Sequence, residues 1–587
     1  MPYIYFEGQY RYVPGVYHTT RVVSSIPGPL PALHIPVLLA HGFEGTPYDV
    51  DSKQVTGETA LGPLRLCRTE SAVASLFGAE SDAHRAMRFA KRHGLPFAYV
   101  GCLSDMVRAS VVVDDGGGTP VEQFTLYPRT WGPKGGHPRI TWDGTNWSTT
   151  PVKRYALLDA NAGASATRLY LKGDHPWLTV GASIVVAAND VAGVTRTVTN
   201  AGIEIGADGQ RDYWIEISSA AGSALNTSAY ALVLQYDTAK VETSPAVDCQ
   251  ALIDWINSTS IHWFAVKHAN FDNTDPANVT GKALKEITEW GTVTVGTCPA
   301  MTGTDVDGFV SLMNAGGWAK FAVQTGTLPH TYMLASDASA NHGKMRDYAT
   351  AERERGYPIA VVVGCGWGDV VLDAGDDTDP LYRVAALNSQ DVMLCAGGID
   401  REAAAISTAA AIWGRRVEGG VGHNLTNDEL IHSEREVEWD EINSGELSAL
   451  ARRGVVTYKL SLGQTYRYRV SQGSSTLQAN AVIWNVADAT TWAVHQRDLM
   501  DAVVKAVVTD LEELAIGSDR IYRDGVGQML FRRGSTLERT GWIKPDGLQV
   551  NDITLNDAGN GYDVDWGVKL PDLVDFIAMT NNVMVGV

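Results

Sequence analysis

His41-Gly42-Phe43-Glu44-Gly45 follows the apolar run HIPVLLA, and a glycine turn at a strand end can offer backbone N–H groups to an oxyanion. Acyl-transfer chemistry also needs a nucleophile on a sharp G-x-S-x-G elbow. The chain contains none, and in Gly364-Cys365-Gly366-Trp367-Gly368 the cysteine stands one position too early. That second glycine loop follows IAVVV and could let backbone approach a cofactor. It lacks the acidic residue expected two positions before the first glycine, where Val362 stands, and DVVLD after it reads as strand rather than helix. The carboxylate-dense stretches 373–379 (DAGDDTD) and 551–565, with Asp552, Asn556, Asp557, Asp563 and Asp565, do not have the spacing of a calcium loop and read as solvated turns. His262 and His268 flank one strand six residues apart, too far along it to share a metal ion. Arg415-Arg416, Arg452-Arg453 and the Glu434, Glu436 and Glu438 cluster could form ion pairs between subunits, although exposed pairs of this kind contribute little.

The elements that carry these residues alternate. Strand His34–Ala40, helices Glu70–Phe77 and Ala79–Gly94, and strand Pro96–Gly101 make an α/β beginning. At Asp114-Asp115-Gly116-Gly117-Gly118 the composition shifts. From there to about Ser244, short alternating strands (Arg168–Lys172, Ala182–Ala188, Tyr213–Ser218, Tyr230–Tyr236) predict an inserted β-sandwich or barrel-like domain that projects from a scaffold. From Asp248 the alternation resumes. Helix 248–257, strand His262–His268, helices Gly281–Trp290 and Thr304–Asn314, strand Tyr332–Ser336, helix Asn341–Gly356, strands Ile359–Gly364 and Asp391–Ala396, and helix Arg401–Arg416 predict a mostly parallel sheet covered on both faces.

At 587 residues the chain is long enough for several domains, and 45% apolar with 19% charged residues is the balance of a folded globular protein. A net charge of −20 leaves no excess of cations to neutralise phosphates, which argues against nucleic-acid binding. No apolar run reaches the roughly 20 residues of a membrane span, and the aromatic start MPYIYFEGQYRYVPGVY does not read as a signal peptide. The six cysteines form no C-x-x-C pair, so reduced thiols rather than a zinc site are expected.

Ser433 to Leu514 organises the rest. It reads as a short acidic helix ending at Gly445, then strands Val455–Ser461 and Thr465–Ser471 joined by Leu462-Gly463-Gln464. A helix with Leu499, Val503, Val507, Leu511 and Leu514 on one stripe follows. This order resembles the C-terminal domain of contractile tail sheath proteins. The matching residues are Glu441-Ile442 before Gly445-Glu446-Leu447, the strand pair, and Val470 with Gly473, Thr476 and Leu477. Val13-Pro14-Gly15-Val16-Tyr17 resembles the family's Pro-Gly-Val-Tyr motif, and Val568-Lys569-Leu570-Pro571 with Phe576-Ile577 resembles its closing segment.

The resemblance implies a multi-domain α/β protein. An N-terminal arm (1–20) precedes a sheath core in two parts (21–113 and 246–425) around the β insertion (114–245). An α+β C-terminal sheath domain (426–579) and a terminal strand (580–587) close the chain. It also implies a helical homo-oligomer that surrounds a tail tube, meets baseplate and terminator or neck proteins, and contracts to drive the tube through a cell envelope. Such a subunit is assembled in the host cytoplasm and resides in the virion tail. No catalytic residue, cofactor or metal is expected, and no Walker-type phosphate loop occurs. Tyr3, Ile4, Tyr5, Phe6, Tyr10 and Tyr12 at one end, and Val583, Met584, Val585 and Val587 at the other, are the candidate strands for pairing with neighbouring subunits. The alternatives are a non-contractile virion or surface binding protein with the β insertion as its ligand module, and an α/β enzyme of hydrolase or methyltransferase type.

Overall fold

Runs such as PVLLA, TYMLA and VMLCA are apolar at every position, and a strand can bury both faces only between two layers of helix. The computed structural model of the chain places them at the centre of the molecule. It describes residues 4–6, 9–11, 35–44, 64–103, 107–114, 122–137, 139–142, 146–188, 191–206, 211–238, 240–243, 249–260, 263–268, 293–294, 297–366, 379–400, 403–426, 428–431, 444–462, 466–477, 493–515, 523–555 and 562–571. The central sheet has seven strands in the order Val455–Val456, Val392–Ala396, Ala360–Cys365, Thr331–Ala335, Pro36–Ala40, Ala98–Cys102 and Leu64–Cys67. All neighbours are parallel except the Leu64–Cys67 edge strand.

Register settles which helices lie on which face. Tyr332 is opposite Val361 and Met333 opposite Val362, so Tyr332 and Gly364 point to opposite faces. On the Tyr332 side, its ring meets Trp318 and Tyr348 edge-on, bringing in helices Trp318–Thr325 and Ser339–Glu354. On the other, Gly364 and Gly414 let helix Ala404–Gly419 approach both the sheet and helix Asp82–Arg92. A Cβ at Gly364 would run into the carbonyl of Ala405, and one at Gly414 into that of Ala90.

The inserted β region closes on itself. Its six strands run antiparallel in the order Val152–Leu157, Leu232–Tyr236, Ser183–Ala188, Val191–Ile205, Arg211–Ile217 and Arg168–Leu171. The two outer strands then meet, with Asp159 N–H donating to Tyr170 O at 3.0 Å and Lys172 N–H to Leu157 O at 2.9 Å. One set of side chains (Leu169, Ile184, Val186, Ile215, Val233) fills the inside. Val152, Tyr155, Leu157, Val185, Leu232 and Leu234 join the main core instead. The insertion is therefore fused to the scaffold by an apolar face, where the sequence suggested simple projection.

Several other elements differ from expectation. Helix Cys249–Thr259 forms, but the strand after it, Trp263–Lys267, pairs antiparallel with Glu122–Pro128 in a separate four-stranded sheet rather than extending the parallel one. Its alternating burial suits a sheet covered on one side. A helix occupies Ser444–Arg452, starting about where one was expected to end. Val455–Val456 joins the edge of the central sheet, while Tyr458–Leu462 and Tyr466–Val470 form the expected hairpin. Beyond helix Val494–Ala515, the sequence reading had missed helix Arg523–Arg539 and the hairpin Leu548–Leu555 with Tyr562–Val568. Asp552, Asp563 and Asp565 thus lie on strands and not in one long loop. Helix 281–290 lies outside the described residues.

Candidate functional site

Doubly wound sheets bind ligands at the carboxyl ends of their strands, where the strand order reverses. Here the reversal falls between Pro36–Ala40 and Thr331–Ala335, so His41 and Ser336 flank it. The chain itself covers that position. His41 Nε2 donates to the carbonyl of Cys298 at 3.1 Å, and Asn341 Nδ2 to that of Met301 at 3.1 Å, so residues 298–301 cross the crevice. His342 Nε2 bonds Ser336 O at 2.7 Å, and burial lowers its pKa to about 4. The Cys298 thiol is pushed up to about 12 by burial, which keeps it from serving as a thiolate nucleophile at neutral pH.

The His41 turn has no N–H left for an oxyanion at Phe43 and Glu44. Both donate to Phe77 O, at 2.8 and 3.2 Å, and so cap the carboxyl end of helix Glu70–Phe77. His41 Nδ1 lies 3.8 Å from Asp82 Oδ2, and with Nε2 facing a carbonyl the ring is not placed as a general base. Gly45 lies outside the described residues. At Gly364 the missing side chain makes room for helix Ala404–Gly419, which is packing rather than cofactor approach; Trp367 and Gly368 are not described.

The remaining candidates are structural where the structure describes them. His268 contacts Thr125 Oγ1 at 2.7 Å and Glu122 at 3.1 Å, while His262 lies outside the described residues. Asp379 caps helix Pro380–Leu387, accepting from Leu381 N–H at 2.6 Å, and 373–378 are not described. Arg416 is buried and paired with Asp498 of the same chain, which corrects its assignment to a subunit contact. Arg415 holds Glu418 at 2.7 Å and Glu429 O at 3.1 Å; Glu434, Glu436 and Glu438 lie outside the described residues. Among the described residues no group of three or more His, Cys, Asp or Glu could hold a metal ion, and no helix is long and apolar enough to cross a membrane.

Of the candidate pairing residues, Ile4, Tyr5, Phe6 and Tyr10 lie in a small antiparallel hairpin in which Ile4 is opposite Arg11 and Tyr5 opposite Tyr10. The sequence suggested one extended strand; the backbone folds back, with only Glu7 and Gly8 between the strands, the usual length of a tight hairpin connection. Tyr3, Tyr12, Val583, Met584, Val585 and Val587 lie outside the described residues, as do 13–17 and 576–577 of the sheath-like motifs.

Two features escaped the sequence reading. The first is the hairpin Leu548–Leu555 with Tyr562–Val568, a two-stranded sheet whose outer edges pair with no other strand among the described residues. The alternation Asp563-Val564-Asp565-Trp566 could have signalled its second strand, while the break in period at Asn551-Asp552 hid the first. The second is a seam of opposite charges between helix Val494–Ala515 and the amino ends of the central strands. Arg353 holds Asp391 and, at 3.0 Å, Asp501; Arg416 holds Asp498; Arg497 Nη1 donates to Gln390 at 2.9 Å. Burial raises the Asp501 pKa and lowers that of Arg497.

No protein-family model and no curated protein matches the sequence. Among solved structures, the chain is similar to the sheath tail protein of Desulfitobacterium hafniense, with 12% identity and a TM-score of 0.49 over 95% of this chain and 100% of that one. The sheath tail protein of Listeria innocua matches with 11% identity and a TM-score of 0.48 over 93% of each chain. The helical sheath of the anti-feeding prophage in its contracted state matches with 12% identity and a TM-score of 0.35 over 50% of this chain and 78% of that one. What the chain resembles along nearly its whole length is a tail sheath protein.

Proposed function

We propose that the chain is a contractile tail sheath subunit that polymerises into a helical tube around an inner tail tube and shortens to drive that tube through a cell envelope. The observation that carries the reading is the hairpin Leu548–Leu555 with Tyr562–Val568. Among the described residues its two outer edges pair with no other strand, and its second strand ends on Val568, the first residue of the sheath-like Val568-Lys569-Leu570-Pro571 motif. Unpaired backbone edges of seven or eight residues invite strands from elsewhere. The terminal segments with Tyr3–Tyr12 and Val583–Val587 have the composition to supply them by β-augmentation. Head-to-tail contacts whose rotation does not close build open helices, here a helical stack of rings. Backbone pairing would keep neighbours tethered while their bodies rearrange. Tail tube, baseplate and terminator or neck proteins are the partners this role requires. The closed crevice at His41 gives the enzyme readings no support.

The test is negative-stain electron microscopy of the full chain beside a chain lacking residues 1–17 and 580–587. Long hollow tubes from the full chain and monomers from the truncated one are expected. Tubes formed equally by both would sink the strand exchange, and monomers from both would count against the sheath role.

A further inference from the structure

Helix Val494–Ala515 has two unlike faces. Leu499, Val503 and Val507 face helix Arg523–Arg539 and its hairpin, forming two apolar clusters with Leu530, Leu537, Ile543 and Ile553 that are separate from the main core. A quarter-turn or more away stand Arg497, Asp498, Asp501 and Lys505, spaced for one side of a helix. These meet the amino-end edge of the central sheet, opposite the His41 crevice. Asp501 lies between Arg353 at 3.0 Å and Arg497 at 3.4 Å, Asp498 takes Arg416, and Lys505 reaches His330 Nε2 at 2.7 Å and Thr327 Oγ1 at 3.3 Å. The seam holds a small polar cavity of about 10 Å³, room for about one water, among Arg353, Asp391, Arg416, Arg497 and Asp501. Among the described residues the start of the helix is also anchored to the core. Val494 belongs to the main core and donates its N–H to Gly473 O at 3.1 Å, and Leu499 lies beside Gly422.

We infer that helix Val494–Ala515, helix Arg523–Arg539 and the hairpin Leu548–Leu555 with Tyr562–Val568 form a body that can undock from the parallel-sheet core, pivoting near Val494, with the charged seam as its latch. Two surfaces held by ion pairs regain hydration when they part, so their separation is far less unfavourable than opening an apolar interface. The same pairs fix one docked geometry, because each guanidinium has a specific carboxylate. The apolar clusters travel with the moving body and stay closed. This inference concerns the single chain and does not rest on the sheath reading.

The test is a distance measurement between nitroxide labels at two exposed positions, Val323→Cys on the core and Phe531→Cys on the moving body, in a Cys249→Ser background. The other five cysteines are buried. The unaltered seam should give one short distance. D498R, which sets two cations against each other, should add a population longer by a helix diameter or more, about 10 Å. The swap R416D with D498R should restore the short distance. If D498R does not fold, D498N replaces it and should broaden the distribution toward longer values. An unchanged distribution in the folded D498R or D498N chain overturns the latch, as does failure of the swap to restore the short distance.

Discussion

His93 and His342 show what burial does to a titratable side chain. His93 Nδ1 donates to Phe89 O at 2.7 Å while Nε2 accepts from Ile431 N–H at 2.8 Å, so both nitrogens are committed to the neutral ring. Desolvation lowers both groups from 6.5 to about 4. Below pH 6.5 the unfolded chain therefore binds more protons than the folded one, and stability falls as pH drops toward 4. The loss is on the order of 3 kcal/mol per histidine. Melting temperature followed from pH 7.5 to 4.5 should decline over that window, and His342→Gln should flatten the decline. An equal slope in the variant would reject the assignment. Gly364 makes the complementary point about size. Gly364→Ala forces the strand away from Ala405, and overpacking of this kind costs about 3 kcal/mol. The urea midpoint should fall with an unchanged slope, and an unshifted midpoint would restore a loop function for this glycine.

At the scale of elements, strands with and without partners have different prospects. The central strands are paired on both sides and buried on both faces, so they hold the fold. The hairpins at Ile4–Arg11 and Leu548–Val568 are two-stranded, a form that is marginal unless it packs on something. The second rests on helix Arg523–Arg539 through Leu548 and Ile553. Under the proposed β-augmentation the first would instead pair on a neighbouring subunit. Removing residues 1–17 should therefore leave the melting temperature of the monomer within about 2 °C while abolishing tube formation. A large drop in melting temperature would instead make the arm part of its own subunit's core.

For the whole molecule, the β insertion is the decisive case. Inserted domains are commonly removable because few contacts cross their boundaries. Here Val152, Tyr155, Leu157, Val185, Leu232 and Leu234 belong to the central core. Replacing residues 152–236 by a short linker would expose their apolar partners around Phe43 and Phe77. Such a chain should aggregate, and recovery of a soluble, cooperatively melting protein would show the insertion to be independent. The same fusion argues against a detachable ligand module.

The sequence alone located most strands of the central sheet and helices Glu70–Phe77, Asp82–Arg92, Ser339–Glu354 and Ala404–Gly419, but not strand Leu64–Cys67 or helices Trp318–Thr325 and Pro380–Leu387. Residues 332–336, 359–364 and 391–396 are runs whose apolar density and length admit a buried parallel strand, and the long C-terminal helix followed from its stripe at Leu499, Val503 and Val507. It also supplied the tail-sheath resemblance, which rests on local motifs. Periodicity is a short-range property and survives in one dimension. Only the tertiary structure decided what each element meets. The separate sheet of Trp263–Lys267, the closed crevice over His41, the reason for Gly364 and the seam at Asp501 all depend on residues far apart in the chain. Asp501 and Arg353 are separated by 148 positions, and no local pattern marks one as the partner of the other.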